Sequence, residues 1–163
     1  MNKTTKTTEK QISIVNFENK YQSVFKQLNE EWITQLFVLE ELDKQILANP
    51  QQYIIDKGGY IFVALLDNEP VGVVALVPAK TEKYDFDIEK YAVSPKVQGF
   101  GIGTKLLKAI IDKAKSLNAK KIFLETNSNL KAAIHVYKKL GFAEVTCVQS
   151  DYARADVFME LSI

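Results

Sequence analysis

A glycine-rich segment between an apolar strand and an amphipathic helix constrains this chain more than any other feature. The strand ends at Val93, Gly99, Gly101 and Gly103 follow at alternate positions, and a helix runs from Gly103 to Leu117. Glycines at this spacing permit positive φ and let successive backbone N–H groups converge on one point. That point lies at a helix N-terminus, which favours negative charge. The segment therefore predicts a phosphate-binding loop; the alternative is a strand-to-helix turn that binds nothing.

Three kinds of phosphate loop can be compared with this segment. A Walker A loop requires Gly-Lys-Ser/Thr, whereas Gly103 is followed by Thr104 and Lys105. The dinucleotide fingerprint Gly-x-Gly-x-x-Gly is one residue too long, although Glu125 stands at the end of the next strand, where a ribose-binding acid would lie. A third pattern, Gln/Arg-x-x-Gly-x-Gly/Ala, is matched by Gln98-Gly99-Phe100-Gly101-Ile102-Gly103. This match resembles the coenzyme A pyrophosphate loop of the GNAT N-acetyltransferase superfamily.

Composition narrows the class of protein. A chain of 163 residues with 47% apolar and 25% charged residues is typical of one soluble globular domain. A net charge of +1 provides no field to recruit nucleic acid or an anionic membrane. Arg154 is the only arginine, so backbone amides and lysines would have to bind a polyanion. The single cysteine, Cys147, excludes an internal disulfide and is expected in the core. Because the sequence also shows no signal peptide, we expect a cytoplasmic protein.

The order of the predicted elements indicates a mixed α/β sheet. Strands are predicted at residues 11–17, 60–66, 71–77, 86–93, 121–125, 145–148 and 157–161. Helices are predicted from residue 21 to just before Asn49-Pro50 (one bent or two in succession), as a turn at 53–55, at 103–117 and at 130–140. Residues 1–10 are polar and are expected to be a disordered tail. Residues 11–163 are expected to be a single domain.

A second segment extends the resemblance. Residues 125–142 are similar to the superfamily signature Ala-x-x-x-Tyr-x-x-x-Gly-Phe, which falls on Ala133, Tyr137, Gly141 and Phe142. Two signatures in this order span about residues 85–145, and the chain is identified on them as a member of the GNAT superfamily. The resemblance implies the acyl-CoA N-acyltransferase fold, with about seven strands flanked by helices. It also implies acetyl-CoA as co-substrate and no bound metal.

The same resemblance implies where coenzyme A would bind. Pantetheine would lie between the strand ending at Val93 and the strand beginning at Lys121, and the amide of Val93 would donate to the thioester carbonyl. Amides of the glycine loop would bind the pyrophosphate. Gln98 stands where many members have arginine, and Asn127 or Asn129 would replace an asparagine of the family. Contacts are expected from Ala92, Val93, Gln98, Gly99, Phe100, Gly101, Ile102, Gly103, Thr104, Asn127 and Tyr137.

Tyr137 is the candidate general acid. A phenol and a thiol have similar ordinary pKa values, so proton transfer to the departing thiolate needs little driving force. The alternative is that Tyr137 only packs on the inner face of its helix. The single histidine, His135, is expected at the surface.

A carboxylate could deprotonate the acceptor amine. A period of two places Asp87, Glu89, Tyr91 and Val93 on one face of their strand. Asp87 stands where related sequences often carry glutamate and is the first candidate for the base, with Glu89 second. The alternative is that both carboxylates lie on a solvated strand edge.

The leading hypothesis is an N-acetyltransferase that transfers the acetyl group of acetyl-CoA to a primary amine of a small molecule or peptide. Attack would be direct, in a ternary complex, because no Cys or Ser is placed as a nucleophile. A non-catalytic acyl-CoA-binding regulatory module and a nucleotide-binding oxidoreductase domain remain alternatives. Acidic residues at 30, 31, 40, 41 and 43 slightly favour a cationic acceptor. Neither nucleic acid nor a membrane is expected as a partner, and a homodimer is left open.

Overall fold

Seven strands form one sheet in the computed structural model, which describes residues 10–146 and 150–163. The strand order is β1-β2-β3-β4-β5-β7-β6, and β4–β5 is the parallel pair among otherwise antiparallel neighbours. The strands are β1 (Ile12–Asn16), β2 (Tyr60–Leu66), β3 (Glu69–Pro78), β4 (Phe86–Val93), β5 (Lys121–Thr126), β6 (Ala143–Val145) and β7 (Val157–Ser162). The expected mixed sheet of about seven strands is confirmed.

Four helices flank this sheet. They are α1 (Gln22–Leu36), α2 (Glu41–Ala48), α3 (Ile102–Ser116) and α4 (Lys131–Lys139), and a π-helical turn at Gln51–Ile55 follows α2. The helical region predicted to end before Asn49-Pro50 therefore contains two helices in succession, one of the two predicted arrangements. Glu40 begins α2 with a capping box, in which its side chain accepts from the backbone of Asp43 and the Asp43 carboxylate accepts from the backbone of Glu40.

The sheet separates two hydrophobic cores. One core contains the apolar side of α3 together with Tyr137 of α4, and it covers what we call the α3/α4 face. The other core contains Phe25 and Leu28 of α1 with Ile46 and Leu47 of α2, and it covers the α1/α2 face. The side chain of each strand residue therefore lies on one face of the sheet or the other. The face on which each side chain lies determines which residues can meet in the site.

A β-bulge interrupts β4 in its middle. The pairing with β3 shifts between Val73 and Ala75, so Lys90 and Tyr91 together lie opposite Val74. Lys90 adopts a positive φ of 52°. The bulge adds one residue to β4 and reverses the alternation of side chains beyond it.

The bulge makes one sequence prediction wrong. Asp87 and Glu89 pair with β3 residues that pack on the α1/α2 face, whereas Tyr91 and Val93 pack on the α3/α4 face. The period of two placed all four residues on one face. That period holds only for a regular strand, and the extra residue at the bulge divides the four into two pairs on opposite faces.

Other boundaries differ little from the prediction. The strand expected at residues 145–148 is found at Ala143–Val145; residue 146 is not part of it, and residues 147 and 148 of the prediction, with Cys147, lie outside the described residues. The predicted tail also lies outside them, apart from Lys10. His135 is exposed, as expected. No helix among the described residues is long and apolar enough to span a bilayer.

Candidate active site

A cleft opens where β4 and β5 separate. The two strands pair at only three positions, from Phe86–Ile122 to Ile88–Leu124, and then diverge. A cavity of about 540 Å³ occupies the gap, and residues of both sheet faces line it. The cleft thus connects the α3/α4 face to the α1/α2 face, so that two molecules could meet within it from opposite sides of the sheet.

The glycine loop lies at the α3/α4 end of the cleft, and Gln98 at its start lines the cavity. Gly99 and Gly101 have positive φ values of 88° and 72°, and Gly101 is the residue that precedes α3. A β-carbon built at either glycine would have no atom within 4 Å. The space above both residues is therefore open, and a phosphate could approach the backbone at the N-terminus of α3.

The other loop residues have different surroundings. A β-carbon on Gly103 would collide with the Tyr91 hydroxyl, so glycine is required there for packing between β4 and α3. The side chain of Ile102 is buried in the core, which leaves only its backbone available to a ligand. Phe100 is 42% exposed and has the Lys10 ammonium 4.7 Å from its ring centroid. Thr104 lies in the first turn of α3 and is partly exposed.

Ala92 and Val93 line the cavity at the end of β4. Asn127 lines it from the end of β5, but its side-chain amide is already engaged by protein groups. It donates to the Arg154 carbonyl at 2.7 Å and accepts from the backbone N–H of Asn129 at 2.8 Å. These bonds fix the loop between β5 and α4, and they leave the Asn127 side chain little freedom to contact pantetheine.

Tyr137 faces the cavity from α4 and is only 6% exposed. Its ring lies 6.0 Å from that of Tyr91 and 5.9 Å from that of Phe142, measured between centroids. Burial, together with the neighbouring Tyr91, raises the pKa of Tyr137 far above its ordinary value. The phenol is therefore protonated at neutral pH and able to donate a hydrogen bond, but its raised pKa makes full proton transfer to a thiolate less favourable than the ordinary pKa values imply. Both the acid role and the packing role fit this position.

Asp87 and Glu89 line the cavity on the α1/α2 face, where Glu125 of β5 also lies. Burial raises the pKa of Asp87 to about 7, and the charges of Glu89 and Glu125 add to the effect while Lys80 opposes it. Burial likewise raises the pKa of Glu89. The alternative of a solvated strand edge does not hold for these two residues, because β4 is a central strand of the sheet and both side chains are half-buried in the cavity. A carboxyl with a pKa near neutrality suits general-base chemistry.

A buried ionic cluster holds this end of the cleft together. Asp43 of α2 is fully buried and accepts from Lys90 at 2.8 Å and from both Arg154 nitrogens at 2.7 and 2.8 Å. Arg154 also reaches Glu40 at 3.2 Å, and Lys90 donates to the Tyr152 hydroxyl at 3.0 Å. The bulge of β4, the start of α2 and the segment before β7 are thereby joined at one carboxylate.

Sequence reasoning did not find the aromatic and basic residues of this end. Trp32, Phe123, Tyr152 and Arg154 all line the cavity, yet they come from α1, β5 and the segment before β7. Trp32 read as one apolar position of a helix. Arg154 was notable in the sequence only as the single arginine, which was a usable signal because an isolated buried guanidinium requires carboxylate partners.

The ionic cluster predicts a specific acid sensitivity. Burial alone raises the pKa of Asp43, but Arg154 and Lys90 outweigh it and hold that pKa at about 2. A depressed native pKa contributes stability above the unfolded-state pKa and loses it as pH falls through the native value. Urea denaturation should therefore show about 2 kcal/mol of unfolding free energy lost from this group between about pH 5 and 2.

Asp43→Asn should lack this component, whereas Glu69→Gln, which removes an exposed hairpin carboxylate, should retain it. If the wild type and Asp43→Asn lose the same unfolding free energy between about pH 5 and 2, Asp43 is not the source of the acid sensitivity.

Comparison with known proteins decides the family. Residues 21–142, three quarters of the chain, match the model of the acetyltransferase (GNAT) family. The chain belongs to the GNAT family. The matched region contains β2 to β5, the glycine loop and α4, and thus most of the cleft described above. Within the described residues, no group of His, Cys, Asp or Glu side chains is arranged to hold a metal ion.

Individual GNAT relatives differ in what their names say they modify. The chain is 34% identical to spermidine N(1)-acetyltransferase of Escherichia coli over 56% of its own length and 50% of that protein. It is also 34% identical to an N-alpha-acetyltransferase of Sulfurisphaera tokodaii over 56% of its length and 61% of that protein. The chain spans about half the length of the first of these curated relatives.

A solved structure shows the same fold. A GNAT acetyltransferase of Staphylococcus aureus superimposes with a TM-score of 0.82 at 20% identity and covers 93% of this chain and 99% of its own. The superposition includes nearly the whole GNAT chain, whereas the family match covers residues 21–142.

Proposed function

We propose that this GNAT protein transfers the acetyl group of acetyl-CoA to a primary amine by direct attack in a ternary complex, with residues 11–163 acting as one catalytic domain. The observation that carries the proposal is the cleft between β4 and β5. It has an open glycine loop on one face of the sheet and a half-buried carboxylate with a near-neutral pKa on the other. Acetyl donor and acceptor can then approach one another through the gap between the strands.

The chain supplies a residue for each requirement of acyl transfer. Free amides at the N-terminus of α3 would bind the pyrophosphate, and the Val93 amide would stabilise the oxyanion of the thioester carbonyl. Asp87 would accept the proton of the attacking amine. Tyr137 would donate a proton to the departing thiolate on the α3/α4 face. Cysteine or serine chemistry is not required, because the amine itself is the nucleophile.

The half-buried carboxylates of the cleft support an enzyme over a module that only binds acyl-CoA. A carboxyl whose native pKa is raised to about 7 costs folding free energy whenever it is ionised at neutral pH. Such groups concentrate where chemistry needs them. Coenzyme A binding on the α3/α4 face requires neither Asp87 nor Glu89, since both lie on the other face.

The relatives support an amine acceptor without choosing its size. One is named a spermidine N(1)-acetyltransferase and the other an N-alpha-acetyltransferase, at equal identity to this chain. The choice between a small molecule and a peptide therefore depends on the α1/α2 end of the cleft, which α1, α2 and the segment before β7 enclose.

Binding of acetyl-CoA is the first test. Acetyl-CoA at about 100 times its Kd should raise the melting temperature by about 5–10 °C, because the loop amides are arranged only in the folded state. Gly101→Val should abolish the shift, since its side chain would occupy the open space where the pyrophosphate is expected. Differential scanning fluorimetry with a titration of acetyl-CoA measures both effects.

Gly58→Val is the matched control. Gly58 also has a positive φ, 88°, but it lies outside the cleft, near Pro78. This variant should melt earlier for the same reason of backbone strain and yet keep the full acetyl-CoA shift. If millimolar acetyl-CoA leaves the melting of the wild-type protein unchanged, the proposed function fails; a larger shift with NADH would favour the dinucleotide alternative.

A further inference from the structure

We infer that the acceptor is a small dicationic amine, with two ammonium groups joined by a short alkyl chain. Its reactive nitrogen would lie beside Asp87, and Glu89 and Glu125 would bind its second ammonium. This inference rests on the proposed acetyl transfer and names the substrate class of the same site. It is carried by the charges, the enclosure and the apolar walls at the α1/α2 end of the cleft.

The fixed cations near this end are balanced by other carboxylates. Lys90 and Arg154 are held by Asp43 and Glu40 within the ionic cluster. At the rim, Lys80 contacts Asp151. Among the residues that the structure describes, three cavity-lining carboxylates form no ion pair, namely Asp87, Glu89 and Glu125.

Glu89 is the decisive member of this set. Its side chain is half-buried and lines the cavity, and within the described residues it makes no hydrogen bond or ion pair. Glu125 is oriented by a hydrogen bond from the Ser150 hydroxyl. When a ligand fills the cavity it displaces water from Glu89, and the carboxylate then needs a cation to compensate its charge. A monoamine that gives its proton to Asp87 becomes neutral and leaves the charge of Glu89 uncompensated.

The surfaces between the carboxylates are apolar. Phe123 lies beside Asp87 in the register of β4 and β5 and precedes Glu125 by two residues, so all three share the α1/α2 face. Trp32 of α1 lines the same cavity. A methylene chain passing the part of Phe123 that lines the cavity would carry ammonium groups at both of its ends toward carboxylates.

Three amines of similar length test the inference on the full chain. They are 1,5-diaminopentane, 1-aminopentane and 5-aminopentanoate, which place a cation, no charge and an anion at the second position. We expect kcat/KM for the diamine to exceed that for the monoamine by about 10- to 100-fold, and the amino acid to be the poorest substrate. Calorimetry with the protein–CoA complex should show the same order of affinity, and added salt should weaken diamine binding most.

Glu125→Gln should lower kcat/KM for 1,5-diaminopentane by about tenfold or more and reduce it less for 1-aminopentane, so that the preference shrinks. Glu69→Gln removes the same charge from an exposed hairpin and should preserve the preference. Equal kcat/KM values for the diamine and the monoamine would overturn the inference while acetyl transfer stands. Preferred turnover of a lysine-containing peptide over every small amine would also overturn it. An absence of acetyl-CoA binding would overturn both proposals, and it is recognised independently by the melting experiment.

Discussion

Tyr137→Phe is expected to lower kcat by about 10²–10⁴-fold while the affinity for acetyl-CoA remains close to that of the wild type. The substitution removes one hydroxyl and retains the buried ring that packs against Tyr91 and Phe142. If the hydroxyl acts only when the thiolate departs, its loss affects the transition state and not the bound cofactor. Steady-state kinetics with a saturating amine, together with the acetyl-CoA Kd from calorimetry, separate the two quantities.

The wild-type pH profile provides a second check on this residue. Burial raises the pKa of Tyr137 well beyond the working range, so the phenol stays protonated and should produce no alkaline loss of kcat below about pH 9.

Tyr91→Phe is the matched variant, because Tyr91 is a neighbouring phenol whose pKa burial raises to about 12. A large loss in Tyr91→Phe with full activity in Tyr137→Phe would transfer the acid role to Tyr91. A less stable Tyr137→Phe protein with unaltered kcat would reduce Tyr137 to a packing residue.

Asp87→Asn is expected to cost about 10²-fold or more in kcat/KM near neutral pH. In the wild type, kcat/KM should rise with pH through about 7, since the ionised form of Asp87 is the base and burial holds its pKa there. The variant should lack this limb. Its deficit should shrink at higher pH, where the acceptor amine is already deprotonated. Profiles of kcat/KM from pH 5.5 to 10 with one fixed acceptor make the comparison.

Two comparisons test whether Asp87 is the base or a group that only attracts a cationic acceptor, and the first of them uses Glu89→Gln. The charge of Glu89 helps to raise the pKa of Asp87, so its removal should shift the wild-type limb to lower pH. If Asp87 only attracted a cationic acceptor, Asp87→Asn would raise KM in a salt-sensitive way and leave kcat intact. If the kcat of Asp87→Asn equals that of the wild type at every pH, Asp87 is not the base, and Glu89 becomes the next candidate.

Stability gives an independent measure of the same carboxyl. The pKa of Asp87 rises from an ordinary 3.8 to about 7 on folding, so the native state binds more protons than the unfolded state between these values. Native stability from this group is therefore lost as pH rises through that range. Asp87→Asn should avoid the loss and melt at a higher temperature than the wild type at pH 8, even though it is far less active. Such a result would mark Asp87 as a group retained for function at the expense of stability.

The sequence by itself determined the features that depend on neighbouring residues. The glycine loop and the apolar side of α3 follow from spacing along one segment, and the structure has Gly99 and Gly101 with the positive φ that only glycine adopts readily. Period-two patterns located the strands to within a few residues. The two signatures also indicated the family correctly, because each lies within one continuous stretch around a turn.

Only the tertiary structure decided the arrangement of the acceptor end. One extra residue at Lys90 places Asp87 and Glu89 on the α1/α2 face and Tyr91 on the α3/α4 face. No local sequence pattern in β4 predicts that bulge. Trp32 and Arg154 reach the cavity from segments more than a hundred residues apart in the chain. Burial is a property of the packed molecule. The pKa shifts of Asp87 and Asp43 therefore appear only in the folded protein. Within the described part of the chain Asp87 has no cation in direct contact, so burial raises its pKa. Asp43 is bound by Arg154 and Lys90, which lower its pKa despite burial.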